Sequence, residues 1–295
     1  MRSYPFVTVD VFTDSRFGGN PLAVFPDAEG LSDAEMQALA AELNLSETTF
    51  VLPPDDPAHT ARVRIFNRTH EMPFAGHPNV GTGYVLAGMG RDREGVLLFE
   101  EMAGLVEVKI IRNAEGGLSG AVIAAPQPLS LGLTLSPDEI AACTGLHPDD
   151  VLMATHRPVV ASVGVDFVLA EVRGDVLARA VPHPERFRQV VEERPDLKGR
   201  FSLLIYAHDA GRIRARMFAP LAGTYEDPAT GSANAALVAL LLSATDDISL
   251  SKDIVQGVEM NRPSLLHVEA RRTASGIRST VRGGCVPVLR GEVTL

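Results

Sequence analysis

Two similar short segments, one in each half of the chain, constrain the fold more than any other feature. Residues 73–83 read PFAGHPNVGTG, and residues 226–236 read EDPATGSANAA. In each segment an ionisable residue precedes a proline, and small residues then lead into an apolar stretch. Proline suits the first turn of a helix because its fixed φ is already helical and its missing N–H has no intrahelical partner there. The pattern predicts buried helices over residues 80–88 and 233–242.

The predicted start of each helix is suited to binding an anion. The backbone N–H groups of Gly76, His77 and Asn79 would be free at the first start, where they add to the positive end of the helix dipole. At the second start, Ser232 could bind an anion together with the amides of Gly231 and Ala233, and the alternative is that Ser232 is a plain N-cap. Two such helix starts predict a binding site for a small carboxylate between two similar domains.

Length and charge limit the partners that this chain can have. A chain of 295 residues with 45% hydrophobic and 22% charged residues is expected to form two folded domains. Its net charge of −10 and its pI near 5.3 would repel nucleic acid and anionic membranes. No stretch approaches the ~20 apolar residues of a membrane span, and no apolar signal core is present. We therefore expect a cytoplasmic protein with no nucleic-acid or membrane partner.

Residue spacing disfavours metal and nucleotide sites. Cys143 and Cys285 are too few for a disulfide framework or a cysteine-rich metal site, which fits a reducing compartment. No His, Cys or Asp cluster has metal-ligand spacing, and no G-x-x-x-x-G-K-[ST] motif occurs. Residues 81–83, GTG, lack the third glycine of a dinucleotide fingerprint. The sequence predicts neither a metal nor a cofactor.

The two halves repeat one plan. Each has alternating strands, a helix opened by a Ser-x-x-Glu capping box at Ser32 or Ser136, an arginine-containing strand and one of the two segments above. Because the strands surround a helix rather than alternate with helices, the predicted class is α+β and not a Rossmann fold.

Domain boundaries follow from a predicted crossing linker over residues 127–133. The predicted domains are residues 1–126 and 127–295, and the sequence leaves open which domain the last C-terminal strand joins. The chain is predicted to close with a hairpin over residues 264–270 and 277–282 and a last strand over 286–289.

Glu47 is the most informative candidate for proton transfer. It lies in the sequence NLSETTF, among uncharged residues at a predicted helix-to-strand junction. A carboxylate in partly dry surroundings has a pKa raised towards neutrality, which suits a general base and acid. The alternative is an exposed loop glutamate or a local cap.

His77 and Asp227 are the further candidates. His77 precedes a proline at a helix start, where it can relay a proton or bind a substrate carboxylate or carbonyl. Its alternative is a structural histidine that bonds to the backbone. Asp227 is a second proton-handling carboxylate or orients an amine or hydroxyl, and its alternative is a turn or cap aspartate.

Seven stretches follow one another in an order that is typical of a known family. They are DVFT at 10–13, GNPLAV at 19–24, NLSETTFV at 44–51, RIF at 64–66, EMPFAGHP at 71–78, RMFAP at 216–220 and EDPATGSA at 226–233. Together they resemble the PhzF family, the phenazine biosynthesis-like proteins of the diaminopimelate epimerase superfamily. The likeness spans nearly the whole chain.

The resemblance implies both a fold and an activity. The implied fold has two pseudo-symmetric domains, each a curved, barrel-like mixed sheet around a central helix. The implied activity is that of a cofactor-independent isomerase of a small carboxylate, commonly a homodimer, of the trans-2,3-dihydro-3-hydroxyanthranilate isomerase type. By position, the resemblance implies that Glu47 transfers the proton and that His77 and Asp227 are supporting acid–base residues. The implied substrate-binding residues are Ser46, Gly76, Gly231 and Ser232.

Two other functions stay open from the sequence alone. One is an epimerase or racemase of a small acid that works without cysteine, because neither cysteine lies near the two helix starts. The other is a protein that binds a metabolite without turning it over. Glu47 favours an enzyme, since a pure carboxylate binder gains little from a like charge in its site.

Overall fold

The computed structural model describes residues Met1–Leu295, which form two compact units. Unit 1 consists of Met1–Pro126 together with Val281–Leu295, and unit 2 consists of Gln127–Thr280. The last C-terminal strand, which the sequence left unassigned, thus ends in unit 1. There its residues pair antiparallel with the first strand, with Ser3 opposite Thr294 and Val11 opposite Cys285.

Unit 1 contains eight strands and two helices of its own. The strands are β1 Ser3–Val11, β2 Asn20–Phe25, β3 Glu47–Leu52, β4 Ala61–Phe66, β5 Glu71–Met72, β6 Val96–Glu101, β7 Gly104–Arg112 and β8 Leu118–Ala124. The helices are α1 Asp33–Leu43 and α2 Gly76–Gly88.

Unit 2 contains nine strands and three helices, and one further strand continues from it into unit 1. The strands of unit 2 are β9 Ser130–Thr134, β10 Val151–Leu152, β11 Val159–Ser162, β12 Asp166–Val172, β13 Leu203–Asp209, β14 Arg212–Ala219, β15 Thr224–Asp227, β16 Ser249–Gln256 and β17 Ser264–Thr273. The helices are α3 Pro137–Thr144, α4 Pro184–Glu193 and α5 Gly231–Ser243, and the continuing strand is β18 Gly276–Thr294.

The pairing pattern of the strands is the same in both units. In unit 1, β2 is antiparallel to β1 and parallel to β3, and β4 is antiparallel to β3 and β5 and parallel to β6. In unit 2, β12 is antiparallel to β11 and parallel to β13, and β14 is antiparallel to β13 and β15 and parallel to β16. The predicted α+β class with two pseudo-symmetric halves is confirmed.

The central helices α2 and α5 are buried on nearly every side. Small residues allow α2 to approach its sheet closely. A Cβ atom added to Gly81 would lie 2.6 Å from Leu22 Cδ2 and 2.8 Å from Val11 Cγ2. A Cβ atom added to Gly83 would lie 2.6 Å from Val108 Cγ1. The small residues of the first segment are therefore required by packing against β1, β2 and β7.

The capping boxes form as predicted. Ser32 Oγ accepts a hydrogen bond from the N–H of Glu35, and the Glu35 carboxylate accepts one from the N–H of Ser32. Ser136 and Glu139 repeat this arrangement at α3. Helix α1 ends at Asn44, which adopts the left-handed conformation with φ 53°. None of the helices is both long and apolar enough to cross a bilayer.

Two predicted irregular segments are strands in the structure. Part of the predicted linker is the strand β9, which pairs antiparallel with β11. The predicted break before a last short strand lies inside β18, which runs unbroken through Gly283 and Gly284. A Cβ atom added to Gly283 would lie 2.2 Å from Phe12 Cδ1. The glycines therefore permit a close approach of β18 to neighbouring chain rather than a turn.

Candidate active site

Glu47 is the first residue of β3 and lies opposite Leu22 of β2 in the parallel register. Helix α1 ends three residues earlier with the left-handed Asn44, and this turn brings the chain back to the sheet. The Glu47 side chain is 17% exposed. The predicted helix-to-strand junction and its partly dry surroundings are thus present. Ser46, the residue before it, is half-buried in the same turn.

His77 is the second residue of α2 and lies beside this glutamate. His77 Nε2 is 3.3 Å from Glu47 Oε2, and the two groups are not aligned as a hydrogen bond. Only 6% of the His77 side chain is exposed, and burial lowers the pKa of His77 to about 3. The imidazole is therefore neutral. A neutral imidazole carries one N–H donor and one acceptor nitrogen, so it can pass a proton or a hydrogen bond without adding charge.

The start of α2 has no side-chain cap, unlike those of α1 and α3. Its N-cap is Ala75, which has no polar side chain to accept the first amides. The helix begins at Gly76, earlier than predicted, so the free amides of the first turn are those of Gly76 and His77. Asn79 is the fourth residue of the helix, where intrahelical bonding begins. An uncapped helix start next to Glu47 is suited to a carboxylate ligand.

Unit 2 contains the other predicted site residues at the start of α5. Asp227 ends β15 and is buried, and its carboxylate accepts a hydrogen bond of 2.5 Å from Thr230 Oγ1. This contact is what a turn aspartate makes. Gly231 and Ser232 are the first two residues of α5, whose N-cap Thr230 makes no side-chain capping bond. The two helices therefore start in the same uncapped way.

Register shows which site residues the two units share. Thr48 of β3 lies opposite Phe66, as Leu203 of β13 lies opposite Phe218. The residue of unit 2 that corresponds to Glu47 is thus Ser202. The glutamate is not duplicated, and the pair that it forms with His77 is specific to unit 1.

Neither cysteine is suited to proton transfer. Both thiols are buried, and burial raises the pKa of Cys143 and of Cys285. Cys285 Sγ lies 3.9 Å from the carbonyl oxygen of Val80. A thiolate base is therefore unfavourable at either position.

Unit 2 has a groove that is separate from the predicted site residues. This open groove of about 1120 Å³ is lined by residues of α3 and α4. No three His, Cys, Asp or Glu side chains converge in a way that could hold a metal ion.

Glu101 has a buried carboxyl group and is not among the predicted site residues. The sequence predicts a turn over residues 100–103, which includes Glu101, but in the structure Glu101 is the last residue of β6. Both carboxyl oxygens are buried, and burial raises the pKa of Glu101 to about 8. The side chain of Asn79 on α2 is its polar neighbour. No local pattern in the sequence marks Glu101, because its surroundings are set by the pairing of β6 with β4.

One family of known proteins matches this chain in sequence and in fold. The family model described as phenazine biosynthesis-like protein matches residues 9–291. The chain is 37% identical to an uncharacterized isomerase of Mesorhizobium japonicum over 302 aligned residues, which cover 99% of each protein. It is 34% identical to the trans-2,3-dihydro-3-hydroxyanthranilate isomerase of Pseudomonas chlororaphis over 298 aligned residues, which cover 98% of this chain and 99% of that protein.

A solved structure agrees with the sequence comparison. The crystal structure of a Bacillus anthracis phenazine biosynthesis protein of the PhzF family matches with a TM-score of 0.89 and 27% identity, covering 100% of both chains. Since the family model covers most of the chain and both relatives are more than 30% identical over nearly their whole lengths, this chain belongs to the phenazine biosynthesis-like (PhzF) family.

Proposed function

We propose that this PhzF-family isomerase moves a proton between two carbons of a small conjugated carboxylate, with Glu47 as the base and acid. The observation that carries the proposal is the contact of 3.3 Å between Glu47 and a neutral, buried His77 at an uncapped helix start. The relatives named trans-2,3-dihydro-3-hydroxyanthranilate isomerase supply the first substrate to test.

The reaction needs no change of oxidation state. Glu47 takes a proton from a carbon that the neighbouring conjugated system makes acidic, and the electron pair of the broken C–H bond shifts into that system. The double bond moves, and Glu47 returns the proton to a second carbon on the same face. A single base suffices for this transfer, which fits a glutamate that is present in unit 1 alone.

Neutral surroundings help both halves of this transfer. A protonated His77 would form an ion pair with Glu47 and hold its carboxylate ionised, which would weaken its return of the proton. As a neutral group, His77 can donate a hydrogen bond to charge that develops on the substrate. The amides of Gly76 and His77 at the start of α2 would receive the substrate carboxylate, with the helix dipole adding to the attraction.

We propose the roles expected from the sequence for the remaining predicted site residues. Asp227 supports proton handling, and Ser46, Gly231 and Ser232 bind the substrate. We also propose that the protein is a cytoplasmic homodimer that works without a cofactor. The two uncapped helix starts support the binding roles, and the chain's net charge of −10 supports a small-molecule substrate over nucleic acid.

The test is turnover of trans-2,3-dihydro-3-hydroxyanthranilate by wild type and Glu47→Gln, followed by NMR in D₂O. Glutamine keeps the shape and cannot carry the proton, so we expect turnover to fall by about 10³-fold or more. Glu42→Gln, an exposed substitution on α1, is the matched control and should retain wild-type turnover.

Three outcomes contradict the proposal in different ways. Retained turnover by Glu47→Gln removes the glutamate from the mechanism. Deuterium at one stereocentre without a shifted double bond identifies an epimerase or racemase instead. Binding of this acid by wild type with neither turnover nor exchange in D₂O identifies a metabolite-binding protein.

A further inference from the structure

The two units share their register residue by residue around the candidate site. In β4 and β14 the R-x-F motifs put Arg64 over the Phe66 ring at 5.1 Å and Arg216 over the Phe218 ring at 5.0 Å. Ile65 pairs with Met72 in unit 1 as Met217 pairs with Asp227 in unit 2. Arg62 pairs with Glu100 in unit 1 as Arg214 pairs with Val255 in unit 2. The next residue is Glu101 in β6 and Gln256 in β16, so these two residues correspond.

Gln256 holds the turn before α5 with both ends of its amide. Its Nε2 donates to the carbonyl oxygen of Asp227 at 2.8 Å and to Thr230 Oγ1 at 3.1 Å. Its Oε1 accepts from the N–H of Thr230 at 3.2 Å and from Asn234 Nδ2 at 2.7 Å. The fully buried Gln256 therefore fixes the backbone on which Gly231 and Ser232 are presented.

Unit 1 has the same frame with an acid in place of the amide. Asn79 Nδ2 donates to the carbonyl oxygen of Ala75 at 3.1 Å, as Asn234 Nδ2 donates to that of Thr230 at 2.9 Å. Asn79 also contacts Glu101. Asn79 is the one donor beside the Glu101 carboxyl group, and neither of the two buried oxygens has a partner in close hydrogen-bond geometry.

We propose that Glu101 is a protonated carboxylic acid that clamps the turn before α2, as Gln256 clamps the turn before α5. Its O–H donates to the carbonyl oxygen of Met72, the counterpart of Asp227, and its C=O accepts from Asn79. Glu101 is thus a positioning residue that holds the strand end and turn from which Gly76 and His77 project.

Hydrogen-bond chemistry explains why the acid must keep its proton. A protonated carboxyl has one donor and one carbonyl acceptor, which is the pattern of a primary amide. An ionised carboxylate only accepts, so it would face a backbone carbonyl without a donor. Burial raises the pKa of Glu101 to about 8, in agreement with this requirement.

No cation faces Glu101 from the neighbouring strands. Its partner on β7 is Gly104. On β4, Arg62 lies opposite Glu100, whose side chain points to the other face of the strand, and the Arg62 guanidinium is 3.6 Å from Asp55. The nearest titratable group along α2 is His77, which is neutral. Because no cation neutralises a Glu101 carboxylate, the side chain stays uncharged by keeping its proton.

The clamp links protonation to substrate binding. While Glu101 is neutral, the positive potential at the start of α2 is available to a substrate carboxylate. Ionisation places a negative charge beside Asn79 and removes the bond that holds the turn, so both the anion site and His77 lose their order. The effect of ionisation on substrate binding rests on the proposed function, whereas the protonated state of Glu101 does not.

Infrared spectroscopy tests the clamp without any substrate. The difference spectrum of wild type minus Glu101→Gln at about pH 7 should show the carbonyl stretch of a protonated carboxylic acid, which should disappear as the pH passes about 8. Gln256→Glu is the reciprocal variant and should add a second such band. A difference spectrum that shows a carboxylate band instead of this carbonyl band at neutral pH overturns the proposal.

Hydrogen exchange and kinetics test the positioning role. Amides of residues 73–80 should exchange as slowly in Glu101→Gln as in wild type and faster in Glu101→Ala, and equal exchange in all three overturns that role. With trans-2,3-dihydro-3-hydroxyanthranilate, the KM of wild type should rise above about pH 8 while that of Glu101→Gln stays flat. A KM that rises equally in both contradicts the link to binding. If Glu47→Gln keeps its activity, the proposed function fails while the infrared result still decides the clamp.

Discussion

Glu101 makes a specific contribution to how stability changes with pH. The ordinary pKa of a glutamate is 4.5, and burial raises that of Glu101 to about 8 in the folded protein. Between these values the folded protein holds the proton and the unfolded chain does not. The contribution of Glu101 to stability is therefore fully present below about pH 4.5 and is lost as the pH rises towards about 8.

The size of the loss follows from proton linkage. Each pH unit within this window lowers the free energy of unfolding by about 1.4 kcal/mol. Between about pH 5.5 and about pH 7.5 the loss is about 3 kcal/mol. This is a large fraction of the roughly 5–15 kcal/mol by which a native protein is typically stable. Glu101→Gln has no proton to lose and offers the hydrogen-bond pattern of Gln256. We therefore expect this decrease to be absent in the variant.

Urea unfolding of both proteins at half-unit steps between these pH values measures the difference. Near pH 5 the two should agree to within about 1 kcal/mol, and the variant should become progressively more stable as the pH rises. Glu35→Gln is the control, because hydrogen bonds from the backbone and side chain of Ser32 and from Arg2 lower the pKa of Glu35, and none of these partners is a histidine. Its effect on stability is lost only below about pH 4.5, so its difference from wild type should stay constant across the window. A difference between wild type and Glu101→Gln that does not change with pH refutes the reasoning.

Three further substitutions test the packing, the caps and the site. Gly81→Ala should lower the free energy of unfolding by about 1–3 kcal/mol in urea, because its Cβ would press on Leu22; an unchanged midpoint contradicts the close approach. Ser32→Ala should cost about 1 kcal/mol through loss of the α1 capping box, and a neutral effect would mean that this helix end is frayed. Asp227→Asn keeps an oxygen that accepts from Thr230, so its urea midpoint should stay near that of wild type while turnover falls by about 10²-fold. Unchanged turnover would identify Asp227 as a turn residue only.

Local chemistry in the sequence determined many of the elements. The Ser-x-x-Glu boxes predicted the starts of α1 and α3, because a capping box is satisfied within four residues. The alternating strands and the two small-residue segments predicted an α+β fold in two similar halves, and the seven family stretches predicted the PhzF family. The residues around Glu47 and His77 mark both as candidates, and the family resemblance supplies their expected roles.

Tertiary structure decided the features that depend on distant residues. Gly283 and Gly284 carry the sequence signal of a turn, yet they belong to one long strand because Phe12 occupies the space that a side chain would need. The neutral state of His77 follows from burial that no local pattern reports. The role of Glu101 emerges only from strand register, since the pairing of β4 with β6 puts it at the position that Gln256 has in β16. A residue's protonation depends on what surrounds it in space, and strand register sets those surroundings.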